Sequence, residues 1–191
     1  PAGDWRMLRT AVDNGADAVY LGIDRLNMRA RARNFTLDTL PEVVGYCCDH
    51  AVDVNLTVNT LVYEHELPVL DDIVCGAKAA GCQTIICWDP SVIEACRRHA
   101  MPFTVSTQAS VANTAAARFY QTLGARRIVL ARECTLEQIE EIKRNTDIEI
   151  ECFVHGAMCI AISGRCLMSQ YAFGENANRG ACIQPCRREY R

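Results

Sequence analysis

Cys159, Cys166, Cys182 and Cys186 are spaced C-x6-C-x15-C-x3-C, which puts four soft sulfur ligands in one short stretch. Gly164, Gly174 and Gly180 are interleaved with them and would let the backbone turn around an inorganic centre. Four thiolates suit tetrahedral zinc or an iron–sulfur cluster. Zinc knuckles usually pair cysteines roughly two to four residues apart, and only Cys182 and Cys186 approach that spacing, so the wide first gap leans toward iron–sulfur with zinc as the alternative. Without a metal, these residues would be buried free thiols or two disulfides. Cys47, Cys48, Cys75, Cys82, Cys87, Cys96, Cys134 and Cys152 fall in helix or strand patterns, where free cysteine packs as a small hydrophobe.

A nucleophile with its base is harder to find. The chain has no H-E-x-x-H and no G-x-S-x-G. His50, His65 and His99 sit on helical or loop stretches and read as surface or satisfied core residues. Only His155 falls at the end of a strand pattern, next to Gly156 and near Cys159. A Cys159–His155 dyad would serve a peptidase, as would a serine such as Ser163, but the dyad takes a thiolate out of the four-cysteine set.

These residues are positioned by a regular alternation. Apolar, β-branched runs at 17–22, 52–58, 83–88, 103–106, 127–131 and 148–154 predict six strands. The stretches near 4–14, 37–50, 66–80, 90–99, 113–123 and 135–145 predict helices, with Gly15, Gly81 and Gly124 just past helix ends and Thr135 capping ahead of Glu137. Strict β-α alternation means parallel strands. No G-x-G-x-x-G follows the first strand, which favours an α/β fold of the parallel (β/α) TIM-type barrel over a doubly wound sheet. An eight-unit barrel takes about 250 residues, so six βα units predict an incomplete barrel over 1–154, with a Cys-rich iron–sulfur segment, 155–191, packed on it. The start at Pro1-Ala2-Gly3 and the stop at Arg191 read as a truncation.

In such barrels the working residues come from the C-terminal strand ends. That position nominates Asn59, Asp89, Gln108, Arg132, Glu133 and His155 on one face: Gln108, Arg132, Glu133 and His155 as catalytic candidates, Asn59 and Asp89 as substrate-binding ones. Asp89 before Pro90 is equally a helix cap, and Arg132 with Glu133 equally an ion pair. The loop 25–35 concentrates Arg25, Arg29, Arg31 and Arg33 ahead of Phe35, and Arg165, Arg179, Arg187, Arg188 and Arg191 form a second basic group. Arg29, Arg31, Arg165 and Arg179 are the candidates for holding an anion, RNA or a small acid, at the barrel mouth.

The composition, 50% hydrophobic and 23% charged, is that of a globular domain. The net charge of −3 excludes a global positive field, so nucleic-acid binding must be local. No run approaches the ~20 apolar residues of a membrane span. Twelve cysteines in 191 residues fall short of a secreted disulfide scaffold. The expected compartment is the reducing cytoplasm, with no membrane partner.

The run Glu151-Cys-Phe-Val-His-Gly-Ala-Met-Cys159, then Arg165-Cys166 with Ser169, then Asn178-Arg-Gly-Ala-Cys182 and Gln184-Pro-Cys186-Arg187, closely resembles the signature of the collagenase-like peptidase family of unassigned catalytic type. Pro1-Ala2-Gly3, Gly15-Ala-Asp-Ala-Val-Tyr-Leu-Gly22, Thr57-Val-Asn-Thr60, Ser106-Thr-Gln108 and Leu130-Ala-Arg-Glu133 extend the resemblance over essentially the whole chain. The resemblance implies two activities, proteolysis and hydroxylation without molecular oxygen. Relatives of the second kind hydroxylate the tRNA wobble uridine using prephenate, a cytidine of ribosomal RNA, or ubiquinone precursors. In the ubiquinone pair four cysteines hold a 4Fe-4S cluster, and the matching positions are Cys159, Cys166, Cys182 and Cys186. The expected function is therefore an iron–sulfur enzyme hydroxylating a nucleobase of tRNA or rRNA, with prephenate as a co-substrate candidate. The alternatives are a collagenase-like peptidase and a non-catalytic zinc-stabilised fold, and a partner protein or homo-oligomer stays open.

Overall fold

The computed structural model describes residues 1–162 and 165–189. Six strands, β1 (Ala18–Gly22), β2 (Asp53–Thr57), β3 (Thr84–Cys87), β4 (Phe103–Val105), β5 (Arg127–Val129) and β6 (Glu149–Glu151), form one sheet in the order β1-β2-β3-β4-β5-β6. Every pair is parallel. Helices α1 (Trp5–Asp13), α2 (Leu40–Asp49), α3 (Leu67–Ala80), α4 (Pro90–Arg98), α5 (Thr114–Thr122) and α6 (Leu136–Arg144) alternate with the strands, and α7 (Met168–Phe173) lies in the Cys-rich segment. Because each strand neighbours the next in sequence, the sheet curls into a half-barrel, as the alternation predicts.

Helices α1, α4, α5 and α6 begin where a side chain satisfies a free N–H group. Asp4 accepts from Met7 N at 2.9 Å, Asp89 from Ser91 N at 2.9 Å and Asn113 from Ala116 N at 2.9 Å. Thr135 does cap α6, but its capping-box partner is Gln138, three residues on, because only that spacing returns a side chain to the cap N–H.

The two faces of the sheet differ. Val19, Leu21, Val54, Leu56, Ile85, Cys87, Phe103, Val105 and Ile128 alternate onto the outer face and join one buried cluster with Leu8, Val43, Ile73, Val92, Ala117 and Ile142 from the helices. The inner face is polar. Thr84 Oγ1 donates to Asn55 Oδ1 at 3.0 Å and lies 3.1 Å from Thr104 Oγ1, and Arg127 binds Glu149 at 2.8 Å and Glu151 at 3.4 Å.

Two boundaries depart from the sequence pattern. β6 ends at Glu151, not Val154. The last bond of that ladder runs from Leu130 N to Glu151 O. At the opposite edge Ala2 is fully buried and makes a parallel bridge to Leu21, donating to Tyr20 O at 2.9 Å.

Candidate functional site

At the C-terminal ends of the strands a cavity of about 210 Å³ opens, lined by residues that include Tyr20, Arg29, Asn59, Gln108, Arg132, Glu151 and Phe153. Asn59 organises it. Its Oδ1 accepts Met28 N at 3.0 Å, while its carbonyl accepts Trp88 Nε1 at 2.9 Å and Gln108 Nε2 at 3.2 Å. One residue thus ties together the loops after β1, β2, β3 and β4. Gln108 is buried, and its Oε1 accepts from Ser106 Oγ.

Arg29 and Arg132 give the cavity its chemistry. Arg29 Nη1 and Arg132 Nε are both buried and have no hydrogen-bond partner. A buried guanidinium N–H left unpaired costs free energy that an anionic ligand would return. Arg132 also lies over the Phe153 ring at 5.2 Å, so an aromatic face and a cation share one wall. Burial pushes the Tyr20 hydroxyl above its ordinary pKa, with nearby Arg29 opposing and Glu151 reinforcing that rise. Tyr20 thus stays a protonated donor at neutral pH.

Of the residues nominated from the sequence, Arg29, Asn59, Gln108 and Arg132 converge on this cavity. His155 lines an adjoining one of about 550 Å³ that shares Arg132 and Phe153. Glu133 is exposed on the loop after β5 and is not among the cavity's lining residues. Asp89 serves the scaffold: besides capping α4 it accepts Val62 N at 3.1 Å. Arg31 is exposed and pairs with Glu175 at 3.5 Å.

Arg165 and Arg179 are engaged in holding the Cys-rich segment on the barrel. Arg165 donates to Gln108 O through Nε at 2.9 Å and Nη2 at 2.6 Å, and stacks over Trp88 at 4.9 Å. Arg179 binds Glu66 with both terminal nitrogens, donates to Leu61 O and covers the Tyr63 ring at 4.8 Å. Burial is the largest single influence and would raise the Glu66 pKa, but the Arg179 hydrogen bonds, the Tyr63 N–H and the nearby charges of Arg179 and His65 together outweigh it and hold the carboxyl below its usual range. Gly180, at φ +85°, completes the contact: a Cβ there would come within 2.5 Å of Asn27 O.

Cys159, Cys166, Cys182 and Cys186 are all free thiols, the first two half-buried and the last two exposed. Among the described residues no group of three or more Cys, His, Asp or Glu is placed to hold a metal ion. The surroundings of the sulfurs nevertheless suit thiolate ligands: Met168 N points to Cys166 Sγ and Gln184 N to Cys182 Sγ, each at 3.4 Å, and Ser169 Oγ lies 3.8 Å from Cys182 Sγ. Ser163 and Arg191 lie outside the described residues.

Tyr20, Ser106, Glu151 and Phe153 line the cavity without having been nominated. Their signal was present as period-2 alternation. Tyr20 falls between Val19 and Leu21, and a polar residue between outward-facing apolar ones must face the barrel interior.

The sequence model of Peptidase family U32 matches residues 3–191. The chain is 44% identical over its whole length to the uncharacterized protease MJ0090 of Methanocaldococcus jannaschii, covering 48% of that protein. It is 41% identical, again over its whole length, to the tRNA hydroxylation protein P1 of Bacillus subtilis (46% of that protein) and 37% identical to the collagenase of Porphyromonas gingivalis (49%). The chain therefore spans about half the length of these curated relatives. Among solved structures, the U32 peptidase Mk0906 superposes with a TM-score of 0.61 at 16% identity, covering 78% of this chain and 64% of the other, which supports the barrel fold. With a family match running from residue 3 to the last residue, on a half-barrel that gathers the nominated strand-end residues at its mouth, the chain belongs to Peptidase family U32.

Proposed function

We propose that this chain contributes the anion-binding mouth and the cysteine ligands of a cytoplasmic RNA-modifying enzyme that hydroxylates a nucleobase of tRNA or rRNA without molecular oxygen. The observation that carries this reading is the pair of unpartnered guanidinium nitrogens, Arg29 Nη1 and Arg132 Nε, at one cavity. A peptidase site would need a nucleophile beside a base. In this cavity Ser106 Oγ is bound to Gln108, and among the described residues no hydrogen bond joins His155 to a thiol or hydroxyl. The name of the B. subtilis relative favours RNA as substrate, while the names of the other two keep proteolysis as the rival to be tested.

The cavity suits a small carboxylate co-substrate such as prephenate, held by Arg29 and Arg132, with Tyr20 as a hydrogen-bond donor. The Phe153 face offers a platform for a base, and His155 in the adjoining cavity is the candidate to take a proton. Exposed Arg31 is free to meet a phosphate if its pairing with Glu175 yields. The segment from residue 155 onward is proposed to hold a 4Fe-4S cluster through Cys159, Cys166, Cys182 and Cys186, with zinc as the alternative metal. Four metal-free thiols have no attraction drawing them together, and metal binding itself gathers such ligands. When bound, such a cluster would supply one-electron transfer.

Replacing Cys166 with Ala in the full-length protein, purified anaerobically, is expected to abolish the iron–sulfur absorbance, the iron and sulfide content, and the modified nucleoside measured by mass spectrometry of digested cellular RNA. Cleavage of gelatin by cluster-free protein, with unchanged RNA nucleosides in a deletion strain, would overturn this reading in favour of the peptidase.

A further inference from the structure

Outside the barrel, at the end where the strands begin, a second group of reactive side chains is assembled from α3 and α4. Cys75 Sγ, in α3, lies 3.3 Å from Nδ1 of His99, the residue that caps the C-terminus of α4. The other ring nitrogen, Nε2, lies 2.7 Å from Asp71 Oδ1. An ionised carboxylate only accepts, so Nε2 carries the hydrogen and Nδ1 is left as the acceptor facing the thiol. Asp71 is kept ionised by the Arg98 hydrogen bond at 2.6 Å and then by His99, which together lower its pKa. The ring is fixed from its own backbone as well, since Lys78 Nζ donates to His99 O at 2.7 Å. Cys75 is exposed, unlike Cys87 and Cys96 in the core nearby.

A sulfur nucleophile in contact with a base, whose far nitrogen is in turn oriented by a carboxylate, is the arrangement that activates thiols. We propose that Cys75, with His99 as its base and Asp71 as a positioning residue, is a modification site that reacts with hydroperoxides, independent of the barrel mouth. His99 Nδ1 takes the thiol proton as the sulfur attacks one peroxide oxygen. The S–O bond forms and the O–O bond breaks. The departing hydroxide recovers the proton from His99 and leaves as water; from an organic hydroperoxide the departing group is the alkoxide, which takes the same proton and leaves as the alcohol. Sulfur is oxidised by two electrons to a sulfenic acid and the peroxide is reduced by two. The soft, exposed sulfur will accept an alkylating electrophile by the same base-assisted attack.

The test is peptide-resolved mass spectrometry of the full-length protein after brief exposure to iodoacetamide, or to hydrogen peroxide followed by dimedone. Cys48, an exposed thiol with no such base beside it, is the internal reference. Cys75 is expected to react at least about tenfold faster than Cys48, a conservative floor below the roughly 10²–10⁴-fold that a positioned base contributes. His99→Gly should lose most of that advantage, and imidazole added to the solution should restore it, which a merely structural histidine would not allow. Labelling of Cys87 and Cys96 reports whether a variant has unfolded; if His99→Gly has, Asp71→Asn is read in its place and should also lose rate at Cys75 alone. Equal rates at Cys75 and Cys48, or variants that keep the wild-type rate at Cys75, would overturn the proposal.

Discussion

A buried polar group without a partner costs about 1–3 kcal/mol, and more if it is charged, so the unpartnered nitrogens of Arg29 and Arg132 are expected to lower the stability of the ligand-free fold, a cost that the proposed anion would return. That trade gives a prediction with two signs. Arg132→Met, which keeps much of the side chain's bulk over Phe153, is expected to leave the melting temperature of the ligand-free protein unchanged or to raise it. If the proposed co-substrate reading holds, prephenate would stabilise the wild type by about 2.7 kcal/mol at a hundredfold excess over Kd, and the same variant should lose that stabilisation. A thermal shift series reads both numbers. A several-degree loss of Tm with the prephenate shift intact would mean that Arg132 supports the fold and not the ligand. Residues of one type thus serve different ends here: Arg132 lines a cavity with its Nε unpartnered, while Arg165 and Arg179 donate to Gln108 O and to Glu66 within the chain.

Among elements, the one most open to independent change is the segment carrying the four cysteines. It is attached through Arg165 on Gln108 O, Arg179 on Glu66 and the close approach of Gly180 to the loop after β1. Arg179→Ala should therefore raise hydrogen exchange across residues 165–189 severalfold while protection of β1–β5 stays as in the wild type; uniform loosening would show that the clamp holds the barrel instead. The clamp is also pH-dependent. Glu66 has a folded-state pKa below its ordinary value of 4.5, so its contribution is present above that value and is lost as pH falls through the lower, folded one. Exchange of the segment, corrected for intrinsic rates, should rise as pH falls below 4.5 in the wild type and show no such rise in Arg179→Ala, which lacks the partner. Exposed apolar residues concentrate in the same region, with Val154 96%, Ile160 79% and Tyr171 95% exposed, a surface expected to bind a hydrophobic dye.

For the whole molecule, stability rests on the apolar outer face of the sheet. Phe103, 2% exposed between the sheet and its helices, should cost about 3–5 kcal/mol on replacement by Ala, read as a lower urea midpoint at unchanged slope. The alternation that makes this face was legible in the chain, and with it six strands, six helices and the parallel half-barrel, because hydrophobic periodicity is a local property that the backbone repeats at 2.0 or 3.6 residues. Strand-end position in turn singled out Asn59, Gln108 and Arg132, which the cavity brings together. Other features were not legible. That Asp89 holds Val62, that Arg165 and Arg179 are clamps, that β6 stops at Glu151 and that Cys75 meets His99 all depend on which distant group arrives at a given side chain. The amino-acid sequence by itself determined the elements, their parallel order and the end of the barrel where polar residues collect. Only the tertiary structure decided which arginines are spent on the fold and which stay unpaired, because a charge reads the same in sequence whether its partner is a carbonyl, a carboxylate or a ligand.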